Sequence, residues 1–128
     1  MSTTHFVRLA EALRSLATDP ATAGDPIKRT FLFDGEHCSV NVAMIDDPSD
    51  AIHAQASHDE VVLILEGDCD FRVGEETRRV SRGDLIFIPQ GAAHGPIIDQ
   101  GRIVLLSVFS PFFDREKKNI QWARDSVA

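Results

Sequence analysis

The sequence predicts an all-β fold, a sandwich or barrel of short strands with a helix before it. Short apolar stretches follow one another closely through most of the chain, and Gly, Asp and Pro separate them at turns. Such spacing is typical of antiparallel folds, whereas a parallel fold alternates its strands with long helices. The chain has 128 residues, 43% of them apolar, which suits one domain with a hydrophobic core.

The first element is an amphipathic helix over residues 5–17. Its apolar residues recur at steps of three and four, which places them on one face of the helix. That face consists of Phe6, Leu9, Leu13 and Leu16. Thr4 is a candidate N-cap, and Asp19 ends the helix because the residue before Pro20 is pushed out of the helical region. We expect the helix to pack on the sheet and residues 20–26 to form a linker.

The strands of the predicted barrel occupy residues 27–110. Two of them, residues 27–33 and 38–45, flank an Asp-Gly pair that predicts the turn of a hairpin. Further strands are expected at residues 59–66, 69–73, 77–80, 85–88 and 102–109. The chain ends in a polar segment, residues 111–128, for which we expect a short helix or a tail.

Three of the predicted strands, residues 61–65, 85–88 and 103–109, are apolar on both faces. A barrel strand needs only its inner face to be apolar, since successive side chains point to opposite faces. The outer face of these strands must therefore be covered as well. We expect the N-terminal helix to cover part of it and a second copy of the chain to cover the rest, which predicts a homodimer.

Charge and cysteine content restrict the partners and the compartment. The net charge is −7 and the basic residues are scattered, so the clustered basic surface that binds nucleic acid is missing. No apolar run approaches the roughly 20 residues of a membrane-spanning helix, and the N-terminus lacks a secretory pattern. Cys38 and Cys69 have no CxxC spacing and are expected to be free thiols of a cytoplasmic protein. We expect a small-molecule ligand, with no nucleic acid and no membrane as partners.

The candidate site is built from two stretches around Glu60 and His94. Glu60 and Val62 share one strand face at a period of two, so an interior face would put the Glu60 carboxylate inside an apolar barrel. A bare charge there is costly, so it needs a metal ion or hydrogen-bond partners. His94 follows a turn in which Gly91 allows a backbone angle that a side chain would forbid. With His53 these groups form a cluster of two histidines and a carboxylate, which suits Fe, Mn, Ni, Cu or Zn as divalent ions.

The two stretches resemble the two sequence motifs of the cupin superfamily. The second motif is matched by Gly83, Pro89, Gly91 and His94. The first motif is matched by His53, Glu60 and Gly67. Ile98 replaces the asparagine of the second motif, whereas Gln55 and Asp47 replace the second histidine and the first glycine of the first. The resemblance covers about residues 40–110 and indicates a small single-domain cupin.

The resemblance implies that the fold is an RmlC-like jelly-roll barrel, the double-stranded β-helix of the cupins. It implies a single domain over residues 1–128. Within it, residues 1–26 would form the helix and linker, residues 27–110 the barrel, and residues 111–128 the short C-terminal helix or tail.

The resemblance also implies a metal site, with His53, Gln55, Glu60 and His94 as the ligands in register with the motifs. The neutral amide of Gln55 is a weaker ligand than an imidazole. His58 lies two residues before Glu60 and has the same facing if the strand already extends there. Gln55 and His58 therefore both stay open as the fourth ligand.

Two functions follow from these expectations, and whether the chain is an enzyme stays open. The first is a metal-dependent enzyme that acts on a small molecule by oxygenase, isomerase or lyase chemistry. Residues 108–114, which read VFSPFFD, loosely resemble the last strand of cupins that ketonise unsaturated uronates from pectin breakdown. The second is a non-catalytic cupin that binds or senses a small molecule, with a metal site that the change to Gln55 has weakened.

Overall fold

The computed structural model describes residues 5–16, 27–46, 52–55, 57–111 and 120–122, the last range by its backbone alone. The elements of these ranges are α1 (Leu9–Ser15), β1 (Lys28–Asp34), β2 (Ser39–Asp46), β3 (His53–Gln55), β4 (Asp59–Glu66), β5 (Cys69–Val73), β6 (Glu76–Val80), β7 (Leu85–Ile88), β8 (His94–Ile97), β9 (Arg102–Ser110) and β10 (Ile120–Trp122).

The described strands form two five-stranded antiparallel sheets that enclose one core. The first sheet has the order β1-β2-β9-β4-β7, and the second has the order β10-β3-β8-β5-β6. After β3 the chain passes repeatedly from one sheet to the other, which is the topology of a jelly roll. The expected all-β jelly-roll fold is therefore confirmed.

The core lies between the two sheets and contains one face of β4. Val62 and Ile64 of β4 pack in one cluster with Phe71 of β5. Along β4 burial alternates, since Glu60 is buried and the next residue, Val61, is exposed. The alternation predicted from the sequence is confirmed, and it places the Glu60 side chain inside the barrel.

The N-terminal helix packs on the outer surface of the first sheet. α1 begins after Arg8, and Leu13 and Leu16 pack against a cluster that includes Val42 and Met44 of β2. Amphipathic packing is what the apolar period predicts. The helix therefore covers the outer face of β1, β2 and β9.

The helix begins later than predicted, and one residue of its predicted apolar face is exposed. Phe6 precedes α1 and is 88% exposed, because the helical period that would turn it toward the sheet has not yet begun. Thr4, Asp19, Pro20 and the linker at residues 20–26 lie outside the described residues. Within the described ranges, no helix is long and apolar enough to cross a membrane.

The C-terminal segment contributes a strand to the second sheet. Gln121 of β10 pairs with Ala54 of β3, so this stretch is not part of the short helix considered from the sequence. Its backbone hydrogen bonds are made to β3, whereas residues 112–119 and 123–128 lie outside the described ranges. β3 is thereby held between β8 and β10, which fixes the facing of its side chains.

Candidate functional site

Two neighbouring strands of the second sheet place His53 and His94 side by side. They are direct cross-strand partners on β3 and β8, both are buried, and their ring centroids are 4.3 Å apart. The turn before β8 is joined to β3 by a hydrogen bond of 2.9 Å from the Gly91 N–H to the carbonyl oxygen of Gln55. Gly91 has a φ of 84°, the left-handed conformation that the sequence predicted for it.

Glu60 faces these histidines from the first sheet. Its Oε1 lies 3.2 Å from Nε2 of His94, while Nδ1 of the same ring lies 2.9 Å from the carbonyl oxygen of Ala92. A carbonyl oxygen only accepts, so Nδ1 carries a proton, and in the neutral form of the ring Nε2 would present a lone pair. The facing atoms of Glu60 and His94 are then two acceptors, and neither has a hydrogen bond of good geometry. A proton on Nε2 or a bound cation is needed to join them.

Glu60 is a buried carboxyl group whose pKa lies below its usual value. Burial by itself raises its pKa, but the contact with His94, the charge of Arg29 and the nearby hydroxyl of Ser107 together lower the pKa below the usual value. The Ser107 hydroxyl is too poorly aligned to count as a hydrogen-bond partner. The barrel therefore contains a carboxylate, which attracts cations.

Arg29 on β1 is a second buried charge, and it lies outside both sequence motifs. It is 4% exposed, its Nη1 is 3.5 Å from Oδ1 of Asn41, and its guanidinium lies 5.7 Å from the centre of the Phe109 ring. A signal was present in the sequence, since Arg29 follows Ile27 by two residues and so shares its inward facing. Asn41 and Ser107 interrupt apolar strands in the same way.

The polar side chains line one small cavity between the sheets. They are Arg29, His53, Glu60, His94 and Ser107, and most of the remaining wall is apolar. The cavity volume is about 20 Å³, which is room for about one water-sized group. The structure thus brings together three of the predicted site residues around one point.

A larger cleft of about 250 Å³ opens between the edge strands β6 and β7. Its wall is mostly apolar, with Phe71 and Ile86 among its residues. The charged residues Glu76 and Arg78 pair with each other in an exposed position there. The smaller cavity, which contains the histidines and the buried carboxyl group, is therefore the candidate for metal binding.

The two candidates for a fourth ligand, Gln55 and His58, are both buried, and neither lines the cavity. Gln55 has the facing of His53 on β3, and neither atom of its amide has a hydrogen-bond partner among the described residues. His58 packs edge-on against Phe109, with ring centroids 5.3 Å apart, and hydrogen-bonds with the backbone of Pro111. Burial lowers the pKa of His58.

Neither of the two cysteines lines this cavity. Cys38 and Cys69 are free, as expected, and Cys38 is exposed whereas Cys69 is buried. Burial raises the pKa of the Cys69 thiol to about 11, which makes it a poor nucleophile. In the part of the chain that the structure describes, no three His, Cys, Asp or Glu side chains are arranged to hold a metal ion.

Comparison with known sequences points to one family. The Cupin_2 family, described as “Cupin domain”, matches residues 44–109. An uncharacterized protein of Aquifex aeolicus (strain VF5) is 35% identical over 66 residues, which are 52% of this chain and 54% of that protein. The chain spans about half the length of the curated relatives it matches.

Solved structures share the fold. The protein TT1209 from Thermus thermophilus has a TM-score of 0.68 and 24% identity, over 85% of this chain and 99% of that one. Pac13, a nucleoside dehydratase of Streptomyces, has a TM-score of 0.63 and 13% identity, over 77% of this chain and 78% of that one. At these identities the likeness shows the fold alone.

Proposed function

Since this chain belongs to the Cupin_2 family of cupin domains, we propose that it binds one divalent transition metal ion in the barrel and acts there on a small molecule. His53, Glu60 and His94 would hold the ion, with Gln55 or His58 as the candidate for a fourth ligand. Two imidazoles and a carboxylate suit Fe, Mn, Ni, Cu or Zn. The observation that carries the proposal is the buried contact between Oε1 of Glu60 and Nε2 of His94, two atoms without well-formed hydrogen bonds.

The separation of these two atoms fits a shared ion. Two donors that are each about 2.1 Å from an ion, at a right angle to each other, are about 3.0 Å apart. The atoms of Glu60 and His94 are 3.2 Å apart. The contact of Nδ1 with the carbonyl oxygen of Ala92 is the outer-shell hydrogen bond that orients a ligating histidine and leaves Nε2 for the ion.

The residues around the proposed ion would balance its charge and exclude water in the proposed activity. A divalent ion would supply Lewis acidity to an oxygen of the bound molecule. The charge of Glu60 offsets part of the charge of the ion, and the apolar wall keeps bulk water out. Oxygenase, isomerase and lyase reactions all fit these roles, and Pac13 is a nucleoside dehydratase on the same fold.

A second candidate function is a cupin that binds or senses a small molecule without turnover. The size of the cavity, about 20 Å³, favours it because little room is left for a reacting substrate. The replacement of a motif histidine by Gln55 favours it as well, since an amide is the weaker ligand. The same polar side chains would then serve recognition alone.

Elemental analysis of protein purified without chelator tests the proposed function. We expect about one transition metal ion per chain in the wild type and none in the double variant Glu60→Ala, His94→Ala, because both lose their donor atoms. The variant His37→Ala is the matched control, since it removes an exposed histidine and should keep the metal. A metal-free wild type that takes up none of Fe, Mn, Ni, Cu and Zn contradicts the proposal and leaves the non-catalytic binder.

The proposal extends to partners and location. A small molecule is the ligand, and a second copy of the chain is the protein partner. Val61, Leu85 and Phe87 remain exposed on the outer face of the first sheet, which supports a homodimer. Two free cysteines suit the reducing cytoplasm.

A further inference from the structure

A line of polar side chains crosses the inner face of the first sheet. This polar track consists of Arg29, Asn41, Ser107 and Glu60. Asn41 and Ser107 are cross-strand partners on β2 and β9, and Nη1 of Arg29 lies 3.5 Å from Oδ1 of Asn41. Ser107 pairs with Val62, two residues from Glu60 on the same face of β4. The track therefore leads from a fixed cation on β1 to the carboxylate beside His94.

Two atoms in the middle of the polar track are ready to bind a ligand. Nδ2 of Asn41 and Oγ of Ser107 have no hydrogen-bond partner among the described residues, although both residues are 0% exposed. Buried polar groups are nearly always hydrogen-bonded, so unpaired ones mark a place where a polar group of a ligand fits. Ser107 lines the cavity together with Arg29.

The charges in the barrel favour an anionic ligand. Arg29 is a buried guanidinium that lines the same cavity as the buried carboxyl group of Glu60. A divalent ion at the proposed metal site would leave the barrel with a net positive charge. An anionic group on the ligand offsets that charge in a place where an unbalanced one is costly.

We propose that Arg29 binds a carboxylate group of the ligand, with the Ser107 hydroxyl as a second donor, so that the substrate class is a small carboxylic acid. The planar fork of a guanidinium matches the two oxygens of a carboxylate. The cavity of about 20 Å³ has room for about one water-sized group, so one carboxylate oxygen enters it and the rest of the ligand lies outside. The inference rests on the proposed function in placing the ligand beside the metal-binding residues.

Arg29 has one competing explanation, a purely structural role as the counter-charge of Glu60 and as packing against Phe109. A structural role predicts lower stability on substitution but no preference for charged ligands. Acetate and acetamide have nearly the same shape and differ in charge. Discrimination between these two probes therefore separates recognition from structural support.

The experiment is a titration of the protein with acetate, followed by the ring signals of His53 and His94 in NMR spectra, at constant ionic strength. It is run on metal-free and on zinc-loaded protein. We expect saturable shifts with acetate and none with acetamide. Arg29→Gln should weaken acetate binding by at least about tenfold, since it removes a charge-assisted hydrogen bond. Arg29→Lys keeps the charge but loses the planar guanidinium, so its affinity for acetate should lie between those of the wild type and Arg29→Gln.

The control is Arg82→Gln, which removes an exposed positive charge outside the cavity and should bind acetate like the wild type. Equal acetate affinity in the wild type and in Arg29→Gln overturns the proposal, as does an equal response to acetamide or tighter binding of inorganic phosphate. If Arg29→Gln does not fold, the comparison of acetate with acetamide on the wild type and the acetate affinity of Arg29→Lys still test the proposal. Failure of zinc to load refutes the proposed metal site alone, because the metal-free titration tests Arg29 independently.

Discussion

Gln55 is the residue at which this chain departs most from the pattern of a metal-binding cupin. Replacing it by histidine should raise the affinity for zinc or cobalt by about tenfold or more, because an imidazole binds these ions better than an amide does. The position is suitable because Gln55 is buried and has the facing of His53 on β3. Titration calorimetry on metal-free protein measures the change directly.

The control for this prediction is His58→Ala. His58 packs against Phe109 and hydrogen-bonds with the backbone of Pro111, so its loss should leave metal affinity unchanged while lowering stability. The reverse result, in which His58→Ala abolishes binding and Gln55→His has no effect, would assign the fourth ligand position to His58.

The residues of the cavity were predictable to different degrees. His53, Glu60 and His94 stand at motif spacings, and a period of two turns Glu60 inward, so the sequence predicted that they meet. Arg29 was not predicted because a charged residue outside the motifs is usually exposed, although its period with Ile27 gave it an inward facing. Only the closure of the barrel over β1 shows that its side chain is inside.

At the scale of elements, the turn that carries the second motif is hydrogen-bonded to the stretch that carries the first motif. The Gln90 N–H donates to Oδ1 of Asp59 over 2.9 Å, and the next residue, Gly91, donates to Gln55. These two bonds connect β3, the start of β4 and the turn before His94. The geometry of the site therefore depends on contacts that lie outside the cavity.

Asp59→Ala should lower the free energy of unfolding by about 1 kcal/mol, the net value of an exposed hydrogen bond of this kind. The variant should also speed hydrogen exchange at the Gln90 amide. Asp59→Asn keeps an acceptor oxygen and should retain most of the stability. Urea unfolding and hydrogen exchange measure the two effects. An equal loss in both variants would show that the charge of Asp59, rather than its acceptor, holds the turn.

Seven of the ten described strands were predicted from the sequence, and β3, β8 and β10 were not. The predicted strands lie between turn residues at or near the expected bounds; they are β1, β2, β4, β5, β6, β7 and β9. β3, β8 and β10 have three or four residues each, and β8 reads His-Gly-Pro-Ile, which has no strand pattern of its own. Short strands of this kind form because their neighbours pair with them, and such tertiary pairing is absent from local sequence.

At the scale of the whole molecule, the two sheet edges on the β6–β7 side differ in chemistry. β6 carries Glu76, Arg78 and Arg79, and charges of this kind discourage pairing with another chain. β7 has no charge, and its Leu85 and Phe87 are 71% and 60% exposed. The cluster under α1 includes residues of β1, β2 and β9 and also Leu65 of β4. The apolar side chains left exposed on this sheet are Val61 of β4 and Leu85 and Phe87 of β7.

A second copy of the chain is the partner we expect on this surface, because its exposed apolar side chains lie beside the apolar cleft between β6 and β7 and can enter the same cleft of a copy related by two-fold symmetry. Phe87→Lys should convert the dimer to a monomer, since it puts a charge into the centre of the contact. Phe6→Ser is the matched control, because it removes an aromatic residue that is 88% exposed outside the patch and should leave the dimer intact. Sedimentation velocity over a wide range of concentrations measures the state of each protein. A wild type that is monomeric throughout, or a Phe87→Lys variant that remains dimeric, would show that this surface does not join two copies.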